Sequence, residues 1–290
     1  MDVRLNRNID SVIVLGSGES IGNLTDDEIA YINRCKTVIA MNKFMAFYKK
    51  SRILPTHVYF HDTHDNSLRF LKHIFDVCRR DGLQGLTFVL SRERQDKYFR
   101  THGEWVKQNI GFYRSWCAVL IKKSIKKLLR MKRTTKTFPQ KPIYLMLPED
   151  NSFQFVETTR FMEGGRWAVS LDEPLFHYRG SLSSVLNYVT IERPGCEVYL
   201  VGNDFYGSKY FFEDELRELD IDWQDWTTTL VREQGKHFSF QDHKGTKISD
   251  RFPEIIERMS ESRNRLHCIN EDSLLVKECG VNLARLGVEK

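Results

Sequence analysis

The sequence predicts an α/β fold built on a Rossmann-like, mostly parallel sheet. Two patterns lead to it. Short runs of β-branched and aromatic residues alternate with helical segments, and each run ends in glycine or polar residues. Strands that alternate with helices form parallel sheets, in which ligands collect beyond the carboxyl ends of the strands. The polar residues after each run are therefore candidates for a binding site.

The first half of the chain supplies four strands and two helices to this prediction. Thr25 to Glu28 has the pattern of a capping box, which predicts a helix through about Asn33. A second helix is expected over 67–80. The predicted strands are 11–15, 37–40, 57–60 and 87–90.

The second half is less regular. Helices are expected over 183–192 and 250–261, a strand over 197–201 and a last strand near 266–268, whereas 148–178 has no clear period. Residues 207–242 are acidic and aromatic without a strand pattern, which suits a cover over a cleft. We therefore predict one α/β domain formed by 1–204 and 244–290, with a small lid subdomain at 205–243.

Composition excludes several classes of protein. A chain of 290 residues suits one large domain, and a net charge of +5 is too mild to indicate a nucleic-acid partner. No apolar run approaches the roughly 18 residues of a membrane helix, and the first residues lack the apolar stretch of a secretory signal. The six cysteines lie far apart, which favours a reducing compartment. We expect a cytoplasmic protein; whether it forms a homo-oligomer is left open.

One segment, 118–136, is strongly basic. It carries eight lysines and arginines beside an apolar stripe, without the acidic partners that would pair with them. A helix of this kind suits an anionic membrane surface or a phosphorylated acceptor, which would place the protein peripherally on the inner face of the cytoplasmic membrane. Nucleic acid is disfavoured because no aromatic platform accompanies the charges. A solvated helix face is the alternative.

Two motifs allow other chemistry. The run from His61 to Asp65 places imidazoles and carboxylates together, so a metal-dependent hydrolase built on His61, Asp62, His64 and Asp65 is an alternative function. No second cluster has ligand spacing, so we expect a polar loop that touches substrate, and no metal. The pair Gly16 and Gly18 resembles the start of a dinucleotide fingerprint, but Ile21 stands where the third glycine belongs. A tight turn is the alternative there.

Four fragments in this order carry a resemblance to a known family. They are Val14–Ser20 (VLGSGES), Ala40–Phe44 (AMNKF), Val201–Tyr210 (VGNDFYGSKY) and Asp242–Asp250 (DHKGTKISD). Their order and spacing resemble the bacterial sialyltransferases of glycosyltransferase family 42 and the related flagellin-glycosylating proteins. The resemblance covers 11–66 and 176–276, and it implies a GT-A-like fold whose lid closes over a CMP-sugar.

The resemblance also implies roles for individual residues. Tyr206 and Tyr210 would hold the phosphate, His243 would be the catalytic base and Arg179 would lie near the acceptor. The residues expected to bind the CMP donor are Gly16, Ser17, Gly18, Ser20, Asn42, His61, Ser183 and Asp204. The chain departs from the family at Ser17 and Glu19, where asparagine and proline are usual, and at His61, which stands in place of an asparagine. These changes surround the donor, so the resemblance leaves the sugar open.

The residue types suit this chemistry. CMP departs as a phosphate monoester, and phenols, which stay protonated at neutral pH, can donate hydrogen bonds to it without a metal. Histidine suits the base. We therefore predict an inverting, metal-independent glycosyltransferase that needs no cofactor and moves a sialic-acid-like sugar or Kdo from a CMP-sugar donor to a surface glycan or glycolipid acceptor. Ordinary aromatic packing and a surface histidine are the alternatives, and a non-catalytic glycan-binding or assembly module of the same fold is the non-enzyme rival.

Overall fold

The computed structural model describes residues 6–61, 67–92, 150–159, 165–207, 209–219 and 235–287. Their centre is an eight-stranded sheet in which every neighbouring pair is parallel, in the order β5-β4-β3-β2-β1-β6-β7-β8. The strands are β1 (Ile9–Leu15), β2 (Cys35–Met41), β3 (His57–Phe60), β4 (Thr87–Ser91), β5 (Ser152–Val156), β6 (Glu197–Val201), β7 (Arg265–Cys268) and β8 (Asn282–Leu283). The predicted α/β fold with a Rossmann-like parallel sheet is confirmed.

The strand order reverses at β1. The chain adds β2 to β5 on one side of β1 and then returns to place β6 on the other side. A reversal of this kind opens a crevice at the carboxyl ends of the two central strands. The crevice of this sheet is therefore bordered by the segments that follow β1 and β6, which begin at Gly16 and Gly202.

Helices cover both faces of the sheet. They are α1 (Asp26–Arg34), α2 (Tyr48–Ser51), α3 (Ser67–Arg80), α4 (Ser181–Glu192), α5 (Glu213–Glu218), α6 (Phe252–Glu261) and α7 (Leu274–Cys279). The predicted capping box opens α1: Thr25 Oγ1 accepts from the amide of Glu28, whose carboxylate accepts from the amide of Thr25. Such reciprocal bonds satisfy two amides that the helix leaves without partners.

Each face has its own apolar core. Buried residues of α1 and α3 pack on one face, and those of α4, α6 and α7 on the other. Helix α4 is buried from Leu182 to Thr190, so it runs through the second core and its first turn has a fixed position relative to the strand ends. This burial explains why α4 is apolar nearly all round.

The structure corrects the predicted elements in two places. The segment 148–178, which shows no period in the sequence, contains β5, where Phe153 stacks on Phe88 of β4 at 5.6 Å between ring centroids. The predicted last strand is not the last, because α7 and the short strand β8 follow it. Both missed strands are at the edges of the described sheet, where fewer residues are buried and the apolar signal is weaker.

Two predictions concern segments that the structure describes partly or not at all. The basic segment 118–136 lies outside the described residues, and the lid at 205–243 is described only in part and stays a prediction. Within the described ranges, no helix is long and apolar enough to cross a membrane.

Candidate functional site at the strand ends

The glycine turn after β1 is pressed against the segment that follows β6. The amide of Gly16 donates to the carbonyl of Val201 and the amide of Gly18 to that of Gly202, both at 2.8 Å. A Cβ atom on Gly16 would lie 2.3 Å from the Gly202 carbonyl oxygen, and one on Gly18 would lie 2.2 Å from Asp204 Oδ2. Both glycines are therefore required by the contact between the two segments, a reason that the sequence motif did not reveal.

Asp204 ties three strand ends together. Its side chain is buried, with 3% of its surface exposed. The carboxylate accepts hydrogen bonds from the amide of Ser20 at 2.9 Å, from the Ser20 hydroxyl at 2.5 Å and from Asn270 Nδ2 at 2.8 Å. These donors follow β1 and β7, while Asp204 follows β6. Ser20 and Asp204, both predicted to bind the donor, are thus in direct contact.

The two predicted phosphate-binding tyrosines lie on the same framework. The backbone of Tyr210 pairs with that of Gly18, and the amide of Phe211 donates to the carbonyl of Ser17 at 3.2 Å. The Tyr206 hydroxyl accepts from Asn270 Nδ2 at 3.2 Å, and its side chain is exposed. The structure therefore brings Tyr206, Tyr210 and the glycine turn together.

Asn42 joins three further elements at this edge. It has a left-handed backbone with φ of 49°, its Oδ1 accepts from the amide of His61 at 3.2 Å, and its Nδ2 donates to Ser181 Oγ at 3.3 Å. The side chain thus connects the end of β2 with the end of β3 and the start of α4. Asn42 and His61, both predicted to bind the donor, are neighbours.

His61 is itself packed inside the protein. Its Nε2 lies 3.0 Å from the hydroxyl oxygen of Thr158, and its ring centroid lies 5.1 Å from that of His177. Burial, together with the nearby His61, lowers the pKa of His177 to about 3. His177 therefore stays neutral in the folded protein over the physiological range.

Ser183 and Arg179, two other predicted site residues, form hydrogen bonds that stabilise loops. The Ser183 hydroxyl is fully buried and bonds with the backbone of Tyr178 and Gly180. The Arg179 guanidinium donates to the carbonyls of Phe238 at 2.8 Å and Gln241 at 2.9 Å, and burial lowers its pKa. These contacts fasten the segment before α4 to the segment that carries His243. Donor binding by Ser183 and acceptor binding by Arg179 stay predictions.

His243 occupies a tight turn. Its backbone amide donates to Thr246 and its carbonyl accepts from Thr246, while the imidazole is exposed. Among the contacts of the described residues, none joins this imidazole to Tyr206 or Tyr210. His237, the other histidine of this segment and a second candidate for the base, makes a structural contact: its Nδ1 accepts from the amide of Ser239 at 3.3 Å.

In the described part of the chain, no group of three or more histidine, cysteine, aspartate or glutamate side chains is placed to hold an ion. The metal alternative built on the loop after β3 stays untested. Of its four proposed ligands only His61 is described; Asp62, His64 and Asp65 lie outside the described residues.

Sequence reasoning missed Asn270, which bridges Asp204 and Tyr206. The signal was available, because Asn270 follows β7 closely, as polar residues follow the other strands. It also missed Lys43, which follows Asn42 and whose ammonium group contacts the rings of Phe70 and Tyr210.

Comparisons with known proteins give one structural similarity. No protein-family model matches the sequence, and no curated protein matches it significantly. Among solved structures, the chain is similar to the sialyltransferase CST-II, crystallised as an asparagine-to-alanine variant in complex with CMP. The identity is 16% and the TM-score 0.39, over 96% of this chain and 87% of that one. A similarity of this size assigns no family.

Proposed function

We propose that the protein is an inverting, metal-independent glycosyltransferase that moves a sialic-acid-like sugar or Kdo from its CMP donor to a surface glycan or glycolipid. The observation that carries the proposal is the pairing of Tyr210 with Gly18 at the point where the strand order reverses. It attaches a segment bearing phenol groups to the crevice in which a sheet of this type binds its ligand.

The chemistry follows from the residues at this edge. The acceptor hydroxyl oxygen forms a bond to the anomeric carbon as the bond between that carbon and the phosphate oxygen breaks. The electron pair of the broken bond stays on the phosphate. Phenols that remain protonated at neutral pH donate hydrogen bonds to this developing charge, a role assigned to Tyr206 and Tyr210. An imidazole accepts the proton of the acceptor hydroxyl, a role assigned to His243, whose side chain is exposed to an incoming acceptor.

Nucleotide preference is the first test. A thermal-shift panel of CMP, UDP, GDP and NAD, each with and without EDTA, should give the largest stabilisation with CMP and no effect of EDTA. A nucleotide at about 100 times its Kd should add about 2.7 kcal/mol to the free energy of unfolding. A shift specific to UDP and dependent on manganese would contradict the proposal.

Turnover of side-chain variants is the second part of the test. Tyr206→Phe and Tyr210→Phe should each slow transfer roughly 10- to 1000-fold, the range for one lost oxyanion donor. Tyr31→Phe is the matched control, because its hydroxyl contacts Ser11 near the start of β1, at the opposite end of the strand from the candidate site. His243→Ala should slow transfer about 100- to 10,000-fold and leave CMP binding nearly unchanged.

Two outcomes would redirect the proposal. An inactive His237→Ala beside an active His243→Ala would move the base to His237. CMP binding without transfer to any acceptor would favour the non-catalytic module.

A further inference from the structure

Lys43 has an unusual environment at the carboxyl edge of the sheet. It follows Asn42 in a 3-10 helix, Asn42–Phe47, that is anchored by the buried Phe44 and Phe47. Its Nζ lies 4.9 Å from the ring centroid of Phe70 and 5.8 Å from that of Tyr210, and its side chain is half-buried. The buried neighbours of Lys43 therefore hold its backbone in place. The Lys43 ammonium group faces the ring of Tyr210, a predicted phosphate-binding residue.

Lys43 differs from the nearby lysines Lys49 and Lys50 in its ion pairing. Lys49 pairs with Asp81 and Lys50 with Glu215, each at 2.7 Å. Across the part of the chain that the structure describes, no carboxylate lies within ion-pair distance of Lys43. Attraction to an aromatic face is worth about 0.5–2 kcal/mol and offsets only part of the cost of taking an ammonium group from water. A bound anion would supply a negatively charged partner for the Lys43 ammonium group.

Tyr210, one of the two aromatic neighbours of Lys43, is also one of the two residues to which the proposed function assigns the phosphate. The backbone of Tyr210 pairs with Gly18 of the turn after β1, and Lys43 follows β2, the neighbour of β1. The Nζ of Lys43 and the Tyr210 ring therefore lie at the ends of adjacent strands.

We propose that Lys43 binds the phosphate of the nucleotide and thereby makes the site selective for nucleoside monophosphates over nucleosides. The inference rests on the proposed function. When the bond to the sugar breaks, the phosphate gains the electron pair and one more negative charge, which the ammonium group stabilises without any proton transfer.

The test compares CMP with cytidine, which differ by the phosphate, in calorimetric titrations of the full chain. Lys43→Met keeps the apolar stem against Phe70 and removes the charge. It should weaken CMP binding about 10- to 100-fold, the range for a hydrogen bond to a charged group, and change cytidine binding less than about twofold. Lys43→Arg should keep most of the CMP affinity. Lys43→Gln is the second neutral variant if Lys43→Met does not fold.

Lys36→Gln is the matched control. It removes the same charge at the amino end of β2, whereas Lys43 follows the carboxyl end of that strand, and the Lys36 ammonium group lies 3.7 Å from the carboxylate of Asp10. CMP binding by this variant should equal that of the wild type at the same salt concentration.

The outcomes are distinguishable. Equal weakening of CMP and cytidine by Lys43→Met would show that Lys43 only supports the loop, and unchanged CMP binding would show that it does not contact the phosphate. Either result overturns the inference and leaves the proposed function standing. A wild-type protein that binds neither CMP nor cytidine would instead refute the proposed function, and the inference with it.

Discussion

Replacing Asp204 by asparagine tests whether one buried carboxylate holds the candidate site together. The substitution preserves the shape of the side chain but removes its charge and turns one acceptor oxygen into a donor. In the wild type, Oδ2 accepts from the amide of Ser20, and Oδ1 accepts from the Ser20 hydroxyl and from Asn270. An amide group cannot accept all three of these hydrogen bonds.

The expected cost follows from these contacts. With the amide nitrogen at the position of Oδ2, it faces the Ser20 amide, donor against donor, which costs about 1–3 kcal/mol for a buried pair. The two bonds at Oδ1 lose the charge of their acceptor, and each weakens by about 0.5–1.5 kcal/mol. Water can replace few of the lost hydrogen bonds, because the Asp204 side chain is 3% exposed. We expect the free energy of unfolding to fall by about 2–6 kcal/mol.

Urea unfolding followed by far-UV circular dichroism at pH 7 measures this loss. Asp272→Asn is the control, because Asp272 makes an exposed ion pair with Lys277, whose loss should cost under about 1 kcal/mol. If Asp204→Asn were no less stable than Asp272→Asn, the carboxylate would not tie the three strand ends together, and our account of the site's framework would be wrong.

Two further predictions concern stability. Gly18→Ala should lower the free energy of unfolding by about 1–3 kcal/mol in the same assay, because its Cβ would meet Asp204 and Gly202. Gly22→Ala is the control and should leave stability unchanged, because its Cβ would meet open space. Equal effects of the two substitutions would contradict the close contact at Gly18. The pKa of His177 is lowered to about 3 on folding, so its contribution to stability is complete above the unfolded value near 6.5 and is lost as the pH falls towards 3. Between pH 7 and 5 the wild type should lose about 2 kcal/mol more than His177→Gln, and parallel losses in the two proteins would refute this.

Much of the fold could be predicted from local patterns. Strands β1 to β4 are short apolar runs buried in a parallel sheet, and the capping box at Thr25 needs only residues three positions apart. Such signals lie within one segment of the chain, because they reflect the burial and hydrogen bonding of that segment alone. The polar residues predicted after each strand lie at the carboxyl edge of the sheet, because all of its strands are parallel.

The candidate site was predictable in location and less so in its contacts. Tyr210 was singled out by resemblance to a family, but its pairing with Gly18 across the crevice is a contact between distant segments. The hydrogen bonds from Arg179 to the carbonyls of Phe238 and Gln241 likewise join distant segments, while its acceptor binding stays a prediction.

The sequence by itself determined the fold class, the edge of the sheet at which polar residues gather, and the residue types available there. Tertiary structure alone decided which of them meet. Ser20 and Asp204 are 184 residues apart in the chain, and Asn270 follows Asp204 by 66 more, so no local pattern encodes their contact. The reversal of strand order at β1 brings β6 beside β1, and only that topology places the Asp204 carboxylate against the glycine turn and leaves no space for a side chain at Gly18.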